Sequence, residues 1–109
     1  MAKPTNDQFR GTLDMLVLKI LDSGPLHGYA IALRLERTSG DMLSVEEGSL
    51  YPALYRMEQR GWLSSSWDVT ETGRRARFYR LTKAGRAQFS AEAASWNRLT
   101  KAVGTVLQS

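Results

Sequence analysis

Apolar residues recur at steps of three and four in three stretches of the first half of the chain, which predicts amphipathic helices. The first helix ends at Gly24-Pro25, because proline cannot continue the helical ladder, and its apolar positions are Phe9, Leu13, Leu16, Val17, Ile20 and Leu21. The second helix is predicted from about Tyr29 to Ser39. The third begins near Glu47 and ends at Gly61, and it buries Leu50, Leu54 and Met57.

After Gly61 the pattern changes from helical spacing to alternation. Leu63, Ser65, Trp67 and Val69 alternate with small or charged residues, and a second extended stretch runs over residues 76–81. A polar loop containing Gly73 joins the two, so we predict a β-hairpin. Tyr79 and Leu81 are expected to face the core, and Arg80 to face solvent.

The last stretch predicts a long helix from an N-cap at Thr82 to about Leu107. Its apolar positions follow steps of about 3.5, which is typical of a coiled-coil seam: Phe89, Ala93, Trp96, Leu99 or Thr100, Val103, and Val106 or Leu107. This stripe needs a cover. Either the helix folds back on its own domain or, as we prefer, it packs against a second copy in a homodimer.

The order of helix, helix, helix, hairpin and long helix predicts a mainly α chain with a small β-hairpin. We interpret residues 1–82 as a winged helix-turn-helix domain and residues 83–109 as a C-terminal dimerisation helix. In such a domain the second helix of the helix-turn-helix enters the DNA major groove, and the hairpin forms a wing beside it.

The charge distribution supports a nucleic-acid partner. The chain of 109 residues carries a net charge of +4 with a pI of about 9.8, but residues 56–86 hold eight basic and three acidic side chains. Arg74, Arg75 and Arg77 crowd the predicted hairpin tip, where like charges repel unless a polyanion is present. The alternative is a solvated turn without a partner.

Polar groups on the outer faces of the third helix are candidate DNA contacts: Ser49, Tyr51, Pro52, Tyr55 and Arg56. Hydroxyl and guanidinium groups donate to phosphates or base edges. Alternatively, the two tyrosines belong to the core or to the contact with the first helix.

Other function classes find little support in the sequence. It has no cysteine and one histidine, His27, and no phosphate-binding glycine motif, so we expect no catalysis, cofactor or metal. No apolar run approaches a membrane span, the N-terminus is polar, and we expect a cytoplasmic protein. The rival class is a winged-helix module that binds protein, and the arginines at the hairpin tip argue against it.

Three ordered stretches resemble signatures of the PadR family of transcriptional regulators. They are His27-Gly28-Tyr29-Ala30-Ile31, then residues 47–54 (EGSLYPAL), then residues 79–85 (YRLTKAG), and residues 11–18 (GTLDMLVL) also resemble the family's first helix. The similarity covers about residues 10–86, and the remaining helix fits the short-tailed branch of the family.

The resemblance implies a homodimeric regulator, in most cases a repressor, that binds double-stranded DNA at near-palindromic operators. It implies that Ser49, Tyr51 and Pro52 lie at the DNA, that Arg74, Arg75 and Arg77 reach phosphates or the minor groove, and that the last helix builds the dimer with support from the first, through Phe9 and Leu13. Some members bind aromatic or cationic effectors. Trp96 either stacks on such a ligand at the dimer centre or is a packing residue.

Overall fold

The computed structural model describes the backbone of residues 6–109 and the side chains of residues 11–109. Over this range the elements are α1 (Asn6–Leu21), β1 (Leu26–His27), α2 (Gly28–Thr38), α3 (Glu47–Gln59), β2 (Leu63–Val69), β3 (Arg75–Leu81) and α4 (Lys83–Leu107). The predicted helices and both hairpin strands are present in the predicted order. The winged helix-turn-helix architecture is therefore confirmed. No helix of the described range is long and apolar enough to cross a membrane.

Helix α1 is the centre of the core, because it contacts α2, α3, β3 and α4. The sequence pattern placed Leu16 on the buried stripe and left Leu18 out. In the structure Leu18 is fully buried and Leu16 is half-buried. A helix that is enclosed on several sides buries more than one stripe, so a single-face pattern describes it incompletely.

Helix α3 buries the predicted stripe of Leu50, Leu54 and Met57, each exposed by 1% or less, together with Ala53. Arg60 caps its C-terminal end, and Gly61 then takes a positive φ of 80°, a conformation that glycine adopts without steric cost. The stop predicted at Gly61 is confirmed. The opposite side of α3 is left for solvent.

The three strands form an antiparallel sheet in the order β1-β3-β2. The hairpin of β2 and β3 is the wing; its register runs from Leu63 opposite Leu81 to Val69 opposite Arg75. Tyr79 is buried with Leu81, as predicted. Strand β1 was not predicted, because two residues carry no periodicity; it pairs with β3 and ties the start of α2 to the wing.

Helix α4 starts on the domain and then leaves it. The Thr82 hydroxyl accepts a hydrogen bond from the Gly85 amide at 3.0 Å, which confirms the predicted N-cap. Phe89 packs partly buried against the core. Ala93 is half-buried, and from Trp96 onward the apolar stripe is exposed, through Trp96, Leu99, Val103, Val106 and Leu107. The alternative that α4 folds back along its whole stripe is therefore wrong for its second half.

Two residues of the first helix, Phe9 and Leu13, are expected at the dimer contact. Leu13 is only 3% exposed and belongs to the core of its own chain, so it is covered without a second copy. That expectation is corrected, because α1 faces its own domain at this position. The side chain of Phe9 lies outside the described residues.

Candidate nucleic-acid interface

A cleft of about 1060 Å³ lies between the start of α2, the outer face of α3 and the wing. Tyr51 is the α3 residue that lines it, and its side chain is 43% exposed. The Tyr51 ring lies against Gly28, where a methyl group would approach the Tyr51 Cε1 to 2.6 Å and its hydroxyl oxygen to 2.8 Å. Glycine at position 28 therefore allows the phenol to sit at the edge of the cleft.

The charged groups that line this cleft are mostly cationic. Four arginines contribute to its wall, against one acidic residue, Glu71: Arg34, Arg74, Arg75 and Arg77. Arg34 comes from α2, whereas the other three come from the wing. Because unlike elements supply charge of the same sign around one concave surface, the cleft forms a local positive potential that suits a polyanion.

The wing tip is a defined turn over residues 70–74. The Thr70 amide donates to the Arg74 carbonyl at 2.7 Å, and the Gly73 amide donates to the Thr70 carbonyl at 2.9 Å, with Gly73 at a φ of 83°. The Thr70 hydroxyl also accepts from the Arg74 amide at 3.1 Å. These bonds fix the backbone that carries Arg74, whose side chain is exposed.

Trp67 forms an aromatic platform on the face of the wing that carries Arg75 and Arg77. Its indole is 55% exposed, and the guanidinium carbons of Arg75 and Arg77 lie 4.9 Å and 5.8 Å from the ring centroid. These are cation–π distances. The tryptophan thus holds two of the three wing arginines on one side of the hairpin.

Arg77 has further partners. Its Nε donates to the Ser65 hydroxyl at 2.8 Å, and its Nη2 lies 3.5 Å from the Glu58 Oε2. The Ser65 hydroxyl in turn donates to the same Glu58 oxygen in a short hydrogen bond. Arg77 is therefore connected to both α3 and β2, unlike Arg74.

The other outward residues of α3 are placed differently from Tyr51. Ser49 is half-buried, and Pro52 and Tyr55 are exposed, but none of them lines the cleft. Tyr55 is 66% exposed, so the alternative that it is a core residue is wrong. The Glu46 side chain forms no cap hydrogen bond at the start of α3, and the Glu47 carboxylate lies in its first turn.

Arg56 is engaged in an ion pair within its own domain. Its Nη2 donates to the Asp14 Oδ1 at 2.6 Å, and the two side chains are 27% and 11% exposed. This ion pair links α3 to α1. The expectation that Arg56 belongs to the DNA-facing set is corrected, because its charge is already compensated by the mostly buried Asp14 carboxylate of α1.

Sequence reasoning assigned no role to three cleft residues, Tyr29, Arg34 and Trp67. Tyr29 stands in a stretch that resembles a family signature and is 64% exposed, so an apolar ring at the start of a helix was an available signal. Arg34 gave none, because a single arginine on a surface helix is common. For Trp67 the sequence indicated only a position in the alternating pattern of a strand.

One titratable group at the floor of the cleft has a perturbed pKa. Burial raises the pKa of the Tyr79 hydroxyl above its ordinary value of 10.0. The Arg77 guanidinium lowers it, and the Glu58 carboxylate acts in the same direction as burial. Tyr79 therefore stays neutral over a wider range of pH than an exposed tyrosine. Among residues 11–109 no cluster of three or more histidine or carboxylate side chains forms a metal site.

The α2–α3 pair, the wing beside it and the long last helix define a winged helix-turn-helix protein of the transcriptional-regulator type. The model of the transcriptional regulator PadR-like family matches residues 17–91. The chain belongs to this family. It resembles the Transcriptional regulator Rv3488 of Mycobacterium tuberculosis, with 32% identity over 94 residues, 86% of this chain and 84% of that protein.

Two further similarities bear on the fold and on the length of the chain. The crystal structure of a PadR family transcriptional regulator from Eggerthella lenta aligns with a TM-score of 0.80 and 34% identity, covering 94% of this chain and 88% of that one. An uncharacterized 37.1 kDa protein in transposon TN4556 of Streptomyces fradiae is 45% identical over 95 residues. Those residues are 87% of this chain but only 25% of that protein.

Proposed function

We propose that this chain binds double-stranded DNA as a homodimer and represses transcription from a near-palindromic operator. The observation that carries the proposal is the cleft in which Tyr51 of α3 faces an arginine-bearing wing. A major groove about 12 Å wide admits an α-helix, and a basic hairpin beside that helix meets the flanking phosphates. Family membership supports the same conclusion.

The proposal gives α3 the role of reading bases. Tyr51 and Ser49 offer hydroxyl groups, and Pro52 with Tyr55 offers apolar contact in the groove. Backbone N–H groups in the first turn of α3, where Glu46 forms no side-chain cap, are further candidate donors to a phosphate. Arg56 is not part of this set, because it pairs with Asp14.

The wing supplies affinity that does not depend on sequence. Each phosphate that a cationic side chain neutralises contributes about 0.9 to the slope of log affinity against log salt. In a dimer the double variant Arg74→Ala/Arg75→Ala removes four guanidinium groups, so we expect the slope to fall by about 2 to 4 and binding to weaken on every duplex.

Gel shifts at several salt concentrations, with duplexes selected from a random pool, measure this effect. The matched control is Arg98→Ala/Lys101→Ala, which removes the same charge from the exposed side of α4. Equal slopes for the two double variants would contradict the role of the wing. If the unaltered protein selects no duplex and shows no salt dependence, the chain is not a DNA-binding regulator and the interpretation as a protein-binding module replaces it.

Base reading by α3 is tested with Tyr51→Phe. Loss of one hydrogen bond in each half-site costs about 1 kcal/mol per site, so the selected operator should lose about 10- to 30-fold in affinity. Random DNA should be bound almost as before. An operator preference that equals that of the unaltered protein would show that the Tyr51 hydroxyl reads no base.

The second copy is proposed to cover the exposed stripe of α4. Trp96 and Val103 lie on this stripe at coiled-coil spacing and are 43% and 47% exposed. Trp96→Asp or Val103→Asp should give monomers in light scattering and much weaker operator binding. Thr105→Asp adds the same charge on the opposite side of the same helix and should stay dimeric. A dimer that persists in the first two variants would exclude this seam.

The same seam is the proposed place of an effector. In a dimer through α4, the half-exposed indole of Trp96 lies where two copies meet and offers a ring face to a planar aromatic or cationic compound. Such a compound releases the operator only if it binds the two dimer conformations unequally. Titration of cationic dyes should quench tryptophan emission in the unaltered protein and fail to do so in Trp96→Leu; equal quenching in both would place the ligand elsewhere.

A further inference from the structure

The three arginines of the wing differ in what surrounds their guanidinium groups. Among residues 11–109 the exposed Arg74 side chain forms no hydrogen bond, ion pair or ring contact, and Arg75 stacks on Trp67. Arg77 also lies near Trp67, but it is engaged with Ser65 and Glu58 as well. The difference predicts different tasks for residues that the sequence alone groups together.

The contacts of Arg77 close a triangle between three elements. Glu58 belongs to the last part of α3, Ser65 to β2 and Arg77 to β3. The Ser65 hydroxyl uses both of its capacities, since it donates to the Glu58 Oε2 and accepts from the Arg77 Nε at 2.8 Å. The Arg77 Nη2 completes the triangle with the Glu58 Oε2 at 3.5 Å. Both strands of the wing are thereby fixed to α3.

We propose that Glu58, Ser65 and Arg77 are positioning residues that set the angle between the wing and α3, and that Arg77 does not bind a phosphate. The inference rests on the proposed DNA-binding function and departs from the role at phosphates or the minor groove that the family resemblance implies for Arg77. It follows from charge and contact: the Glu58 carboxylate offsets the charge of the Arg77 guanidinium and, with Ser65, holds it against α3, so Arg77 is less available to a phosphate than Arg74. Arg74, on the same hairpin, has no such competitor.

Neutralising Glu58 should change DNA affinity in opposite directions under the two interpretations of its role. A carboxylate beside a DNA-binding cleft repels phosphates, so its removal alone should strengthen binding to every duplex. If Glu58 instead holds the wing in place, Glu58→Gln should weaken binding to the operator. An exposed ion pair is worth about a threefold change in an equilibrium, and two wings per dimer give about a tenfold loss of preference for operator over random DNA.

The first experiment compares Arg77→Gln with Arg74→Gln on the selected operator and on random duplexes at several salt concentrations. We expect Arg74→Gln to lower the salt slope by about 2 per dimer, since each phosphate contact contributes about 0.9. Arg77→Gln should leave the slope unchanged but reduce the operator preference about tenfold. A slope lowered as much as in Arg74→Gln would overturn the proposal.

The second experiment reverses the pair. Arg77→Glu alone should lose operator preference, and the double variant Glu58→Arg/Arg77→Glu should recover it to within about threefold, because Ser65 can donate to the new carboxylate and accept from the new guanidinium. A phosphate-binding Arg77 cannot be rescued in this way, since the double variant still places a negative charge against the DNA. Failure of rescue while both variants keep the melting temperature of the unaltered protein would refute the positioning role.

These results separate the proposal from the function on which it rests. If the unaltered protein does not bind DNA with a salt-dependent affinity, the DNA-binding function itself fails. If it does bind, and Arg74 and Arg77 behave alike, the function stands and only the positioning role is wrong.

Discussion

Gly85 in the first turn of α4 offers the sharpest test of how the last helix is seated on the domain. A Cβ at this position would overlap deeply with the Trp62 carbonyl oxygen and would lie 2.7 Å from the Leu81 Cδ1. The Trp62 carbonyl cannot simply move, because it accepts a hydrogen bond from the Thr82 amide at 3.1 Å. The substitution Gly85→Ala must therefore shift backbone and not only a side chain.

The expected cost follows from these contacts. Forcing a methyl group into a filled space costs about 1 to 3 kcal/mol, and weakening the bond to the Trp62 carbonyl adds about 1 kcal/mol. The better helix propensity of alanine returns about 1 kcal/mol. The free energy of unfolding should thus fall by about 1 to 3 kcal/mol, which lowers the melting temperature by about 5 to 20 °C in a domain of this size.

Thermal unfolding followed by circular dichroism at one fixed protein concentration measures the change. Gly11→Ala is the matched control, because Gly11 lies inside α1 and a Cβ there meets no atom within 4 Å. The control should melt at the same temperature or slightly higher. A Gly85→Ala protein that melts within about 2 °C of the unaltered protein would refute the close seating of α4 on Trp62.

Three further outcomes are expected. Gly28→Ala should push the Tyr51 ring aside at little cost to the melting temperature, since the end of a flexible side chain gives way, and should reduce operator affinity in gel shifts about as much as Tyr51→Phe. Burial raises the Tyr79 pKa, so above pH 10 the unfolded chain loses this proton before the folded chain does. The free energy of unfolding from urea titrations should therefore fall as the pH rises above 10, and should fall less steeply in Tyr79→Phe. Equal dependence on pH in the two proteins would contradict the prediction. Asp14→Ala leaves the Arg56 guanidinium without its partner and should cost about 2 kcal/mol in the same titration, whereas a value near zero would mean that water replaces the pair.

Local patterns were sufficient for the four helices and the hairpin of this fold, but not for the two-residue strand β1. Apolar spacing, the helix stop at Gly61 and the N-cap at Thr82 each depend on a few neighbouring residues, and each was confirmed. The exposed stripe of α4 was also readable, because a seam at 3.5-residue spacing is a property of one helix. The burial of α1 on several sides could not be predicted from its own sequence, because it depends on four other elements.

The site was harder to predict from the sequence than the fold, because a cleft is formed by residues that are distant in the sequence. The sequence grouped Arg56 with the outward residues of α3, but its partner Asp14 lies 42 positions away and decides its direction. Similarly, the three wing arginines look equivalent until Glu58, on another element, is seen beside Arg77. Residue type gave the sign of the charge, and only the tertiary structure shows which charges are already compensated.

The two proposed surfaces, the DNA-binding cleft and the exposed stripe of α4, both contribute to the affinity for an operator. One cleft presents a half-exposed tyrosine and a few solvated arginines, and contacts of this kind give a single domain only weak, salt-sensitive binding. When a second copy is joined through α4, its cleft meets the neighbouring half-site at an effective concentration in the millimolar range, which raises the overall affinity by about 10² to 10⁴. If the proposed dimer forms, the exposed stripe of α4 is therefore as important for operator binding as any residue that contacts a base, although it lies outside the cleft.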